Sequence, residues 1–179
     1  MQKRLCALLA CLPLSGGWAH AQLPSSADEA ELKAAILFNF ALFTEWPADT
    51  LPASAPLRLC VFQGNALLTA LTGLQEKQVN GHRLSVRTLP AAPGAAQLAS
   101  CHLLVLDAQD RERWPLLKHD LSTSSVLTVA DDRIIGSSGA MISFSIANRR
   151  VGFDVDMMPV KQARLTLSSK LLRLARSVQ

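Results

Sequence analysis

The sequence has no second apolar run beyond its first 21 residues that approaches the length of a bilayer span. Its densest stretch, Ala34 to Phe43, has nine apolar residues in ten, broken only by Asn39, whereas a transmembrane helix needs about 20. Also missing are a G-x-G-x-x-G or P-loop pattern and a G-x-S-x-G elbow, which removes the usual signs of nucleotide binding and of an α/β-hydrolase nucleophile. His82, His102 and His119 follow no H-x-x-x-H or H-E-x-x-H spacing, so no metal site and no cofactor is expected. Lys and Arg are scattered rather than clustered, which disfavours a nucleic-acid partner despite the formal charge of +4. No internal repeat is visible.

What is present begins with an export signal. Lys3 and Arg4 precede the apolar Leu5 to Leu14, and Ala19-His20-Ala21 forms a small-x-small cleavage site. Residues 1–21 therefore read as a secretory signal peptide and 22–179 as one domain, directed to the periplasm. Cys11 after Leu8-Leu9-Ala10 offers a lipoprotein reading, which requires an unusually short apolar region. Cys6 and Cys11 leave with the leader, so only Cys60 and Cys101 remain. In an oxidising compartment such a pair favours a disulfide over a metal site, with two buried free thiols as the alternative.

The segment Lys33 to Pro47, KAAILFNFALFTEWP, is apolar nearly all round and predicts a helix over Ala27–Phe43, buried on more than one side and stopped by Trp46-Pro47. Leu57–Phe62 reads as a strand, followed by a Gln63-Gly64-Asn65 turn and helical spacing over Ala66–Leu74. Arg83–Leu89, His102–Asp107 and Ser125–Ala130 read as further strands, the second as a central one covered on both faces. Arg111–Leu121 reads as a helix between them. Ala140–Ile146 and Val151–Met157 form a hairpin through Ala147-Asn148-Arg149-Arg150. From Pro159, the spacing of Val160, Ala163, Leu167, Leu171, Leu174 and Val178 predicts one long amphipathic helix. The fold class expected is α/β: a compact single domain with a mixed sheet flanked by helices in a Rossmann-like three-layer arrangement, then a hairpin and an amphipathic helix.

Candidate chemistry is sparse. Gly64-Asn65 stands where α/β folds often hold phosphate but reads as an ordinary turn, and Gly136-Ser137-Ser138-Gly139 reads as a loop before a strand. Asp131 and Asp132 suit acidic turn residues, and Asp154 and Asp156 a solvated strand face. Ser168 and Lys170 stand two apart and do not form a dyad on a helix. No catalytic residue is identified.

Eight blocks nevertheless run in order through the chain: KAAILFNFALFTEWP, LRLCVFQ, VNGHRL, CHLLVLD, SVLTVADD, GAMISF, RRVGFDVDM and LTLSSKLLRLAR. Together they resemble the YfiR family of periplasmic proteins. The resemblance implies a regulator rather than an enzyme: a repressor that binds the periplasmic region of a YfiN-like inner-membrane diguanylate cyclase and is sequestered by a YfiB-like, OmpA-type lipoprotein. It further implies a homodimer, a role in c-di-GMP signalling and biofilm control, and cysteines at the positions of Cys60 and Cys101. The sequence departs from better-known members in having no second cysteine pair near the hairpin. Phe144, Ile146, Phe153 and Val155 of the hairpin are the candidate partner or dimer surface, with ordinary sheet core as the competing role. The rival class is a small-ligand-binding sensor or hydrolase on an α/β scaffold, which a deep pocket near Gly64, Asp131 and Gly136 would favour.

Overall fold

A computed structural model describes residues 26–147 and 150–179. The signal peptide expected over residues 1–21, and Asn148-Arg149 of the hairpin turn, lie outside the described residues. Helix α1 (Ser26–Leu42) leads into a two-residue strand β1 (Thr44–Glu45) and a connector, then β2 (Leu57–Phe62), α2 (Leu68–Thr72), β3 (Gln78–Val79) and β4 (His82–Leu89). Next come α3 (Ala95–Ala99), β5 (Leu103–Leu106), a 3-10 turn at Ala108–Asp110, α4 (Trp114–Asp120), β6 (Leu127–Ala130) and α5 (Arg133–Ser137). The hairpin β7 (Ile142–Ala147) and β8 (Arg150–Val155) follows, then α6 (Met157–Gln162), β9 (Thr166–Leu167), α7 (Ser169–Leu172) and β10 (Ser177–Val178).

Eight strands form one mixed sheet in the order β10-β8-β7-β6-β5-β2-β4-β3, while β1 and β9 pair antiparallel apart from it. The centre, β4-β2-β5-β6-β7, is parallel, and the antiparallel pairs are β7 with β8 and β3 with β4. At the β3–β4 turn Asn80 and Gly81 both have positive φ, 50° and 85°. An Asn-Gly pair supplies that conformation at little cost, and it suits a two-residue hairpin.

Strand alternation divides the core in two. Leu57, Leu59 and Val61 of β2 join α1, Leu71 of α2, Val160 of α6 and Leu171 of α7 on one face. Cys60 and Phe62 point the other way, into a cluster with Leu98, Trp114, Leu117 and Ile135 from α3, α4 and α5. Successive β side chains emerge on opposite faces, so a strand buried on both must be apolar throughout, as Leu103–Leu106 is. This is the three-layer α/β arrangement expected from the sequence.

Helix α1 is buried on more than one side, as expected, against the sheet and against α2: Lys33, Ala34, Leu37, Phe40 and Ala41 are buried, Ile36, Phe38, Leu42 and Phe43 are half-buried against the core, and Leu32, Ala35 and Asn39 reach solvent. Two local expectations change. Helix α5 takes in Gly136 and Ser137 of the segment expected to be a loop, and Asp132 caps it by accepting from the Ile134 and Ile135 N–H groups at 3.1 and 3.0 Å. Finally, the single terminal helix is replaced by α6, β9, α7 and β10. Arg164 at φ 58° ends α6, Thr166–Leu167 pairs with β1, and Ser168 starts α7 by accepting from Leu171 N–H. Val160, Ala163, Leu167 and Leu171 of the expected stripe are buried, whereas Leu174 and Val178 are exposed.

Candidate functional site

In open α/β sheets ligands gather at the carboxyl ends of the strands, where the chain order reverses. Here that point lies between β2 and β5, and the protein's own side chains fill it. Asp107 accepts from Ala66 N–H and from Gln109 N–H, each at 2.9 Å. Gln109 Nε2 donates to Gly64 O at 2.7 Å, and Asn65 Oδ1 accepts from Leu67 N–H at 2.9 Å. A phosphate seeking the Ala66 N–H would meet the Asp107 carboxylate instead, so the turn is built against an anion.

Neighbouring carboxylates are likewise engaged. Lys33 Nζ lies 2.7 Å from Asp131 Oδ1 and 2.7 Å from Glu29 Oε1, with its side chain almost wholly buried. Burial disfavours the charge on both members, with different outcomes. Hydrogen bonds to two carboxylates outweigh it for Lys33, whose pKa is raised. Burial prevails for Asp131, which has one cation and is repelled by Glu29 and Asp107, so its carboxyl also titrates above the usual range. The Arg111 hydrogen bond, ahead of the α5 backbone donors, holds the Asp132 carboxyl low. An open cleft of about 540 Å³ adjoins Glu29, Lys33, Ala66 and Asp131. Gly136 belongs to a different place, because a Cβ there would stand 2.6 Å from Ser143 Cβ. Asp131 lines the cleft beside Ala66, whereas Gly136 lines another beside Ser143. Among the described residues no three His, Cys, Asp or Glu side chains could hold a metal ion.

The hairpin presents two contrasting faces. In register, Phe144 stands opposite Phe153, Ile142 opposite Val155 and Ile146 opposite Val151. Phe40 of α1 covers the first of these pairs, with ring centroids 5.7 Å from Phe144 and 4.8 Å from Phe153. Phe144, Phe153 and Val155 are consequently buried, whereas Ile146, on the same face but nearer the tip, is 59% exposed. The four residues singled out in the sequence thus divide into three that form the floor and one that reaches solvent. On the opposite face Ser143, Ser145, Asp154 and Ser177 line an open cleft of about 670 Å³. Burial works against the Asp154 charge, but Ser177 at 2.6 Å and Arg176 at 2.9 Å outweigh it and hold the carboxyl below its ordinary pKa.

Cys60 and Cys101 form a disulfide, with Cα atoms 5.9 Å apart. The bond ties the middle of β2 to the residue two positions before β5, beneath α3 and α4. Sequence reasoning missed Lys33, whose only signal was its i, i+4 spacing from Glu29. It also missed the proximity of His82 and His102, which nothing in their spacing reveals.

Comparison with curated proteins returns no match. Among solved structures, a conserved domain protein from Vibrio cholerae aligns with a TM-score of 0.49 and 11% identity, covering 84% of this chain. This chain spans 60% of that protein's length. The family model described as YfiR/HmsC-like matches residues 30–176, which takes in most of α1, the disulfide, the parallel centre of the sheet and the hairpin. The chain belongs to the YfiR/HmsC-like family.

Proposed function

We propose that this protein is a periplasmic regulator of c-di-GMP signalling that represses an inner-membrane diguanylate cyclase of the YfiN type by protein-protein binding. An OmpA-type lipoprotein of the YfiB type is the proposed antagonist, and a homodimer the proposed functional unit. Family membership supports the reading, and the observation that carries it to particular residues is Ile146. This side chain continues the apolar row of Phe144 beyond the cover of α1 into solvent. Opposite it Val151 is only partly buried, and β8 is paired on its outer side by β10 only at Asp154–Val155. An exposed aliphatic residue on a rigid aromatic floor gives a partner a small apolar anchor, and interface energy concentrates in such anchors. Phe144, Phe153 and Val155 support that anchor from below, and a partner strand or loop meets Ile146.

Ile146→Asp tests the anchor because the side chain is mostly exposed, so the substitution is expected to cost only about 1 kcal/mol, the span of strand propensity. In cells lacking the native gene, the wild-type protein should lower c-di-GMP and Ile146→Asp should fail to do so at equal abundance. Repression by Ile146→Asp equal to wild type removes the hairpin from the interface. Unchanged c-di-GMP on deleting the gene overturns the cyclase reading itself.

A further inference from the structure

The connector between β1 and β2 is fastened to the amino ends of the central strands by two histidines. His102, buried at 2% exposure, precedes β5. Its Nδ1 accepts from the Arg58 backbone N–H at 2.8 Å, and its Nε2 meets the Thr50 carbonyl at 3.1 Å. That pattern places the hydrogen on Nε2 and leaves Nδ1 as an acceptor, the neutral imidazole. Trp46 Nε1 donates to the His102 carbonyl at 3.0 Å, with the two rings edge to face. His82 binds the far end of the same connector, its Nδ1 lying 2.8 Å from the Ala55 carbonyl.

His102 is set against a second proton. A second hydrogen on its Nδ1 would face the Arg58 N–H at 2.8 Å, donor against donor, in a buried site. The charged groups facing it offer no compensation. Arg58 of β2 and His82 of β4 both oppose a positive ring, and burial, the largest effect, lowers the His102 pKa. Asp49 on the connector is paired with Arg164, beyond α6.

We propose that His102 is an acid-sensitive latch: the protonated ring cannot stay against the Arg58 N–H, and in turning away it also gives up the Thr50 carbonyl, its tie to the connector, so that the stretch from Pro47 to Pro56 is freed. Release propagates through two contacts. Leu51 leaves the core it shares with α1, and the Asp49–Arg164 pair loses its fixed partner beside β9. The sign follows from proton linkage. A histidine with a depressed pKa in the closed form is fully stabilising above its ordinary value near 6.5 and loses that contribution as pH falls toward the depressed value. Within this window up to one proton is taken up on opening, so the open population rises by up to about tenfold per pH unit.

Amide hydrogen exchange of the oxidised protein between pH 7.5 and 4.5, corrected for intrinsic exchange, reads this directly at Thr50, Leu51 and Ala55. Their N–H groups bond within the connector, to Pro47 and Pro52 carbonyls. Protection in the wild type should be flat above pH 6.5 and fall below it, by up to about tenfold per unit. His102→Asn places an amide oxygen near the Nδ1 position without a titrating group, and its protection should lack the step. The His102 ring resonances and the Trp46 indole N–H signal of the wild type should move over the same pH range, a readout independent of whether the variant folds. Protection that is flat to pH 4.5, a step that persists in His102→Asn, or a Trp46 signal that does not follow His102 would each overturn the latch.

Discussion

Replacing Cys60 and Cys101 together by alanine is expected to lower the unfolding free energy by about 4 kcal/mol. The two residues are 41 apart in sequence, and closing a loop of roughly 40 residues removes that much chain entropy from the unfolded state in the loop-closure treatment. The loop contains α2, the β3–β4 hairpin and α3, the whole outer flank of the sheet. Both half-cystines are buried among Phe62, Leu98 and Leu104, so the alanines also leave space in that cluster. Domains are typically stable by only about 5–15 kcal/mol, so the change removes a large share. Urea denaturation of wild type and double variant measures it, and addition of reductant should move the wild type toward the variant. A difference below about 1 kcal/mol would show that the outer flank is held by packing alone.

Phe40→Ala is expected to cost about 3–5 kcal/mol, the range for deleting a buried aromatic ring. Phe40 is completely inaccessible and packs on both Phe144 and Phe153, with the Phe153 contact edge to face. Its loss opens a cavity between α1 and the hairpin that neither element can readily close. Lys33 stands above the Phe144 ring and is bonded to Asp131, and α2 packs against the same helix, so α1 has little freedom to move in. Leu32→Ala on the exposed side of the same helix should change stability by no more than about 0.5 kcal/mol. Denaturant midpoints for the two variants separate the covered flanks of the helix from its solvent-facing strip.

That pair of variants marks where sequence reading stopped short. Composition showed α1 to be greasy, but only the fold decides which flank receives a neighbour. The parallel strands were legible because continuous apolar runs such as Leu103–Leu106 have few other uses in a chain of this size. The disulfide was legible from compartment and parity. The terminal segment was not, because the stripe from Val160 to Leu171 satisfies a helix and equally a helix-strand-helix with the same residues inward. The break comes at Arg164, with φ 58°, and the chain then pairs Thr166–Leu167 with Thr44–Glu45, a contact more than a hundred residues away. The hairpin residues were found as a group, but the distinction between Phe144 in the core and Ile146 in solvent depends on where α1 ends its cover. His102 carried no sequence signal, since its partners are backbone atoms of Arg58 and Thr50.

The role assigned to Ile146 changes which substitution is informative. Phe144→Asp would bury an uncompensated charge beside Phe40, and a loss of repression would then report unfolding rather than a lost contact. Ile146 avoids that confusion because its side chain is mostly exposed and a carboxylate there can reach water.

Calorimetric titration of the purified, oxidised protein with the periplasmic region of the membrane diguanylate cyclase tests repression by direct binding. Saturable binding is expected, weakened about tenfold or more by Ile146→Asp, equivalent to about 1.4 kcal/mol. No binding by the wild-type protein at roughly 100 µM of each partner, weaker than about −5.5 kcal/mol, would contradict repression through direct contact.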